Sequence, residues 1–227
     1  MAQLDRRELG PPAPWDYIER AAALMPNAST CLDMGTGGGE RFAGLCDGYR
    51  GRAFATEEWR VNAPIAAGRL GALGIDVVRC SSLRLPFADA SFDLVLNRHE
   101  ALDPAEVARV LRPGGHVLTQ QVWWRDNELS RYFPRRTDHG DHFRHYGEGF
   151  ASAGLEIIDA REHQGPVAYA DIGEYVFLLC IAPWEVPDFD PLGADLPALL
   201  AMENDLLTGD GLVLTEGRYI IEAHKPA

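Results

Sequence analysis

The feature that most constrains this chain is an apolar run that ends on a cluster of glycines. Thr30-Cys31-Leu32-Asp33-Met34 reads as a short strand, and Gly35-Thr36-Gly37-Gly38-Gly39 follows directly. Glycine tolerates the positive φ angles of a tight turn and lets a backbone approach another group with no side chain between them. Beyond the glycines, Glu40 to Cys46 opens a helix with Phe42 and Leu45 facing inward. Strand, glycine loop and helix in that order form half of a strand–helix–strand unit, which needs parallel partner strands from elsewhere in the chain.

Those partners are legible. Ala53 to Thr56 reads as a second strand ending at Glu57 and Glu58, and Asn62 to Leu73 as a helix stopped by Gly74. Ile75 to Cys80 is a third strand. Phe92 to Leu96 is a fourth, introduced by the turn Ala88-Asp89-Ala90-Ser91. Asp103 caps a helix running to Leu111, with Pro104 in its first turn and Glu106 at the capping-box position. Pro113-Gly114-Gly115 stops that helix, and His116 to Val122 is a fifth strand. A helix from Trp15 to Leu24, ended by Pro26, precedes them all, with Ile18, Ala22 and Leu24 on its apolar side. After residue 124 the pattern loosens. Asp141 to Ala153 reads as a helix and Leu155 to Ala160 as a sixth strand. A helix follows from Asp171, boxed by Glu174, then one from Leu196 to Leu207, and a last strand from Arg218 to Ala223. The expected class is α/β, a doubly wound and mostly parallel sheet, with a helical insertion at about 165–210 before the last strand.

In such sheets ligands sit at the carboxyl ends of the strands, where the strand order reverses. The glycine loop belongs there. Alone, the run is equally a structural turn. With a strand before it, a helix after it and an acid on the second strand, it reads as a ligand cradle. Asp33, just before the loop, disfavours a phosphate and can receive an ammonium group. Glu57 stands where a ribose hydroxyl acceptor is expected. A dinucleotide fingerprint would place its third glycine at residue 40, where this chain has Glu40, an acid that makes a poor pyrophosphate seat. No Gly-Lys-Ser/Thr follows, so a Walker loop is excluded.

Cys31-Leu32-Asp33-Met34-Gly35-Thr36-Gly37-Gly38-Gly39 resembles the first motif of the class I S-adenosylmethionine-dependent methyltransferases. The stretches Leu85-Pro86-Phe87-Ala88-Asp89-Ala90-Ser91-Phe92-Asp93-Leu94-Val95 and Val110-Leu111-Arg112-Pro113-Gly114-Gly115 fit the branch that includes the ubiquinone/menaquinone-type enzymes. The resemblance implies a Rossmann-like sheet of seven strands, with one domain over 1–227 and a cofactor-binding core over 28–122. It implies S-adenosylmethionine as cofactor and S-adenosylhomocysteine as product. Asp33, Gly35, Thr36, Gly37 and Gly39 would hold the methionine part, Glu57 the ribose, and Ser81, Ser82 and Leu83 the adenine, with Asn97 also at the cofactor. Ser81 departs from the family, which often has an aspartate there, and a serine hydroxyl accepts more weakly.

The fourth strand ends in Asn97-Arg98-His99-Glu100, at the edge that faces the methyl group in this fold. His99 and Glu100 are the candidate catalytic residues, as bases for an acceptor that must lose a proton. Arg98, Gln120, Gln121 and Trp123 are candidate substrate contacts, with Trp124 beside them. The plainer reading makes His99 and Arg98 structural and one tryptophan core. Asp138, His139, Asp141, His142 and His145 look superficially like metal ligands, but no cysteine or tight spacing closes a site, so no metal is expected. The 165–210 segment, with Tyr169, Tyr175, Phe177, Trp184 and Phe189, is expected to lid the pocket; a dimer face is its alternative.

Composition bounds the partners. Apolar residues make up 46% of the 227, enough for a core, and no apolar run is long enough to cross a bilayer. Met1 to Pro14 lacks the pattern of a signal peptide. Cys31, Cys46, Cys80 and Cys180 are scattered, which reads as reduced core thiols of a cytoplasmic protein. A formal net charge of −13 repels a phosphate backbone, and the arginines at 125, 131, 135, 136 and 144 are interrupted by acids. The expected acceptor is therefore a small molecule, methylated at oxygen, nitrogen or carbon by a monomer or homodimer. An RNA base methyltransferase, a non-catalytic S-adenosylmethionine-binding protein and a nicotinamide oxidoreductase are the competing readings.

Overall fold

The computed structural model describes residues 4–123 and 128–227. In chain order the elements are β1 (Arg7–Glu8), α1 (Tyr17–Leu24), β2 (Thr30–Met34), α2 (Glu40–Leu45), β3 (Arg52–Thr56), α3 (Asn62–Gly71), β4 (Asp76–Val78), β5 (Phe92–Arg98), α4 (Pro104–Val110), β6 (Leu111–Trp123), α5 (Leu129–Tyr132), α6 (His142–Ser152), β7 (Glu156–Tyr169), α7 (Ile172–Ile181), α8 (Leu196–Leu206), β8 (Leu207–Thr208) and β9 (Gly211–His224). They form two compact units. The larger comprises 15–121, 143–162 and 219–227; the smaller comprises the N-terminal segment to residue 14, 122–142 and 163–218.

In the larger unit the strand order is β7-β9-β6-β5-β2-β3-β4. Pairs β3/β4, β2/β3, β2/β5 and β5/β6 are parallel. These are the seven strands the family resemblance implies; the two-residue β1 and β8 are additions. From β2 the chain moves outward through β3 and β4, then returns to lay β5 on the other side of β2. That reversal makes the carboxyl ends of β2 and β5 the topological switch point.

The core of this unit packs Cys31, Leu94, Leu96 and Leu118 of the sheet against Tyr17, Ala21, Phe42, Ala66 and Leu70 of the helices. Phe54, Phe87 and Phe92 meet edge-on at centroid distances of 4.9–6.2 Å. At the end of the strands away from the glycine loop, Asp93 accepts hydrogen bonds from the Ser29 and Thr30 amides at 3.0 and 2.8 Å and pairs with Arg112 at 3.0 Å. Arg109 donates to the Leu85 and Phe87 carbonyls at 3.0 and 2.7 Å. The later motif stretches thus lock the sheet together, which fixes the loop at its opposite end.

Several elements depart from the sequence reading. β6 begins at Leu111, so Pro113-Gly114-Gly115 lies within the strand and does not precede it: Leu111 pairs with Phe92, and the Gly114 amide donates to the Lys225 carbonyl at 2.7 Å. Asp103 caps α4 through the Ala105 and Glu106 amides. Glu106 does not close the box; it accepts from the Leu85 amide at 2.8 Å and pairs with Arg109. Glu174 accepts from the Ala170 amide, one residue ahead of the Asp171 cap. β7 and β9 are 14 residues each, well beyond the expected strands.

The smaller unit has its own core. Leu129, Phe133, Tyr169, Tyr175, Leu199, Met202, Leu212 and Leu214 pack together, so the 165–210 segment shares its interior with residues on both sides of it. Arg6 donates from Nε and Nη2 to the same oxygen, Oε2, of the buried Glu216 at 2.8 and 2.6 Å. The cysteines are unpaired, but only Cys31 is buried; Cys180, read as core, is exposed on α7, where it follows the apolar side without facing the interior. Among the described residues no helix is long and apolar enough to cross a membrane.

Candidate functional site

The site is built at the switch point of the larger unit. Gly35, Gly37 and Gly39 have φ of 65°, 62° and 81°, a left-handed region that side chains rarely adopt. The loop is pinned to the end of β3: the Thr36 amide donates to the Thr56 carbonyl at 2.9 Å, and the Gly37 amide to Glu57 Oε2 at 2.6 Å. Glu57 Oε1 accepts from the Trp59 amide at 2.7 Å. Glu57 is 3% exposed, so an acid one residue past β3 is held immobile against the loop. A carboxylate has about four acceptor positions, and the two amides take one on each oxygen. A Cβ at Gly37 would meet nothing within 4 Å, so the loop is open on that side.

Asp33 sits inside the end of β2. Burial raises its carboxyl to about 7, against the Thr36 hydroxyl and Arg98, with Glu57 adding to the rise. Glu100 lies past the end of β5 with its side chain over Gly35, where a Cβ would collide with it. Burial also raises Glu100 to about 7, reinforced by Glu57 and Glu58 and opposed by the Ala101 amide and the Ser82 hydroxyl. The loop is thus faced by Asp33, Glu57 and Glu100, acids at the ends of the neighbouring strands β2, β3 and β5. That donor set suits a cation carrying hydroxyls and repels a phosphate.

The register divides the remaining candidates between the two faces of the sheet. Arg98 is opposite Gln120, and Asn97 opposite Thr119. Successive side chains alternate faces, so Gln120 and Gln121 cannot serve one substrate group together. Gln120 is buried and accepts from Trp15 Nε1 at 2.8 Å. Gln121 donates to Asn97 Oδ1 at 2.6 Å and to the Glu100 carbonyl at 2.8 Å. Asn97 also accepts from Thr119 at 2.7 Å, while its own amide nitrogen, fully buried, has no partner. His99 is exposed at φ 60°, held there by its amide bond to the Gln120 carbonyl at 2.9 Å. A non-glycine residue at that angle stores strain, as residues at ligand sites often do.

In the turn after β4, Ser81 accepts from the Leu83 amide at 3.3 Å, Ser82 is buried beside Glu100, and Leu83 is 52% exposed. Trp123 belongs to the smaller unit and lies over Gly217, where a Cβ would strike the indole. Trp124 and Arg125 lie outside the described residues. His139 faces Glu185 at 3.2 Å, and among the described residues no group of three or more potential ligands could hold a metal.

The comparisons bear on this geometry. Residues 32–119 match the methyltransferase domain family. These residues form a methyltransferase domain. An uncharacterized methyltransferase of Mycobacterium marinum is 38% identical over 105 residues, covering 41% of this chain and 40% of that protein. The ubiquinone/menaquinone biosynthesis C-methyltransferase of Desulfotalea psychrophila is 34% identical over 112 residues, covering 46% of each. The chain thus spans less than half the length of the curated relatives it matches. In fold, the geranyl diphosphate C-methyltransferase of Streptomyces coelicolor, solved with Mg2+, geranyl diphosphate and S-adenosylhomocysteine, aligns with TM-score 0.55 at 17% identity over 91% of this chain and 78% of that one.

The methyltransferase domain begins inside β2 and closes within β6, so it contains the loop, Glu57, Ser82, Asn97 and Glu100. Two residues beside it escaped the sequence reading. Tyr17 of α1 is buried, with its hydroxyl toward the Asn97 backbone and within electrostatic reach of Asp33 and Arg98. Tyr146 of α6 lies near Glu100 and accepts weakly from the Leu102 amide at 3.5 Å. Their helices are distant in sequence and carry no motif. The helices themselves are expected from the sequence, over Trp15 to Leu24 and Asp141 to Ala153, but no signal in either singles out its tyrosine.

Proposed function

We propose that this chain is an S-adenosylmethionine-dependent methyltransferase acting on a small molecule. The observation that carries the reading is Glu57, buried and bonded at once to the glycine loop and to the Trp59 amide. A carboxylate can accept further bonds beyond these two, and Glu57 would offer them to a pair of ribose hydroxyls. The unpartnered amide of Asn97 fits the same ligand as a donor. Asp33 would receive the ammonium group, and the Ser81–Leu83 turn would border the base. The geranyl diphosphate enzyme, solved with S-adenosylhomocysteine, supports the cofactor class by likeness of fold.

The cofactor, when bound, supplies an activated methyl on a sulfonium. The chain's own residues orient and exclude water. Gln121 holds the Glu100 backbone through its carbonyl, and Glu100 and the exposed His99 would be the groups to take a proton from an acceptor that must lose one. A small acceptor fits the charge of −13. It also fits the pairing of Arg131 with Asp205, Arg135 with Asp195 and Arg144 with Glu148, acids that offset the charge of these arginines. Calorimetry with S-adenosylmethionine tests the site. Asp33→Ala and Glu57→Ala are each expected to weaken binding by about tenfold or more, the loss of a charge-assisted hydrogen bond. Unchanged affinity in both would overturn the assignment.

A further inference from the structure

We propose that the Glu100 carboxylate shifts this site's affinity toward a sulfonium ligand relative to the neutral thioether left after methyl transfer. The inference rests on the cofactor reading above and deepens it. Methyl transfer breaks a carbon–sulfur bond, returns its electron pair to sulfur and so removes one positive charge, while the methyl bonds the acceptor. Everything else about the two ligands is shared: the ammonium, the carboxylate, the ribose and the base. A residue that tells them apart must respond to that single charge.

Of the three acids at the loop, two are assigned above to parts both ligands carry, Glu57 to the ribose and Asp33 to the ammonium. Glu57 is locked to the Gly37 and Trp59 amides. Asp33 lies within β2, beside Thr36 and Arg98. Glu100 alone projects over Gly35, near enough that its Oε2 would stand 2.8 Å from a Cβ there. Any ligand seated on the loop shares that space with it. The groups facing Glu100 are Glu57 and Glu58 from the end of β3, the Ser82 hydroxyl from the turn after β4, the Ala101 amide on its own segment, and Tyr146 from α6. The two glutamates repel its charge. A ligand cation is the partner that would relieve the repulsion, and the neutral product would not. Glu100 is held near 7 by burial first and by these glutamates second, so its charge changes within the working range.

The sign follows. Below pH 7 Glu100 is protonated and distinguishes the ligands poorly; above it, the anion favours the sulfonium. The ratio of the dissociation constants of S-adenosylhomocysteine and S-adenosylmethionine is expected to rise about tenfold between about pH 6 and about pH 8, a modest value for opposite charges in a partly buried site. Taking the ratio cancels titrations that act on both ligands, including that of Asp33 on the shared ammonium. Calorimetry with both ligands at the two pH values is the test, on the wild type, Glu100→Gln and Glu100→Asp. Glu100→Gln should flatten the ratio and Glu100→Asp should keep its slope. A pH-independent ratio in the wild type, or an unchanged slope in Glu100→Gln, overturns this proposal and leaves the cofactor reading standing. Binding of neither ligand overturns both.

Discussion

Glu57 and Glu100 show how much can hang on single side chains here. Each is one acid at a strand end, yet Glu57 ties the loop down and Glu100 covers it. Gly35 and Gly37 separate the two effects. Both have φ near 60°, so alanine at either pays a left-handed backbone cost of about 1–2 kcal/mol. Only at Gly35 does the new methyl also displace Glu100. Chemical denaturation is expected to show a larger loss of stability for Gly35→Ala than for Gly37→Ala; equal losses would mean that Glu100 is not packed on the loop. The acids and glycines were readable as residues. Their contacts were not, because Glu100 is 65 positions from Gly35 and no local pattern joins them.

At the scale of elements, α4 shows capping by one residue and anchoring by another. Asp103 accepts from two amides at the helix start, while Glu106, held down to about 2 chiefly by its bond to Arg109, reaches across to the Leu85 amide. Lys225 donates to the Ala108 and Leu111 carbonyls at the other end, at 2.7 and 2.9 Å. Asp103→Ala is expected to cost about 1 kcal/mol, the usual loss for a cap. The urea midpoint should fall with an unchanged slope, and an unmoved midpoint would show that the cap carries nothing. Strand and helix identities in the 30–122 region followed from periodicity and turn residues. The errors were at ends governed by partners: Leu111 is drawn into β6 by Phe92, and Glu106 is drawn out of its box by Leu85 and Arg109.

For the molecule as a whole, the acids at the site oppose stability. Asp33 and Glu100 hold protons when folded that the unfolded chain releases at ordinary carboxylate values. Their contribution therefore declines as pH rises from that range to about 7. Glu106 works the other way, contributing above its ordinary value and losing that only as pH falls toward about 2. Asp33→Asn is expected to raise Tm relative to the wild type more at pH 7.5 than at pH 5, about where the linkage has developed. A difference independent of pH would show that the Asp33 carboxyl titrates normally. By itself the sequence determined the α/β class, the glycine loop and its acidic partner, because strand periodicity, positive-φ glycines and strand-end acids are local signals. Only the tertiary structure decided that Gln120 bonds Trp15, that Gln121 and Asn97 bond each other, that Tyr17 and Tyr146 join the site, and that 165–210 shares a core with its flanks. Those facts depend on register and on packing between segments far apart in the chain, and a one-residue shift in register would reverse every face.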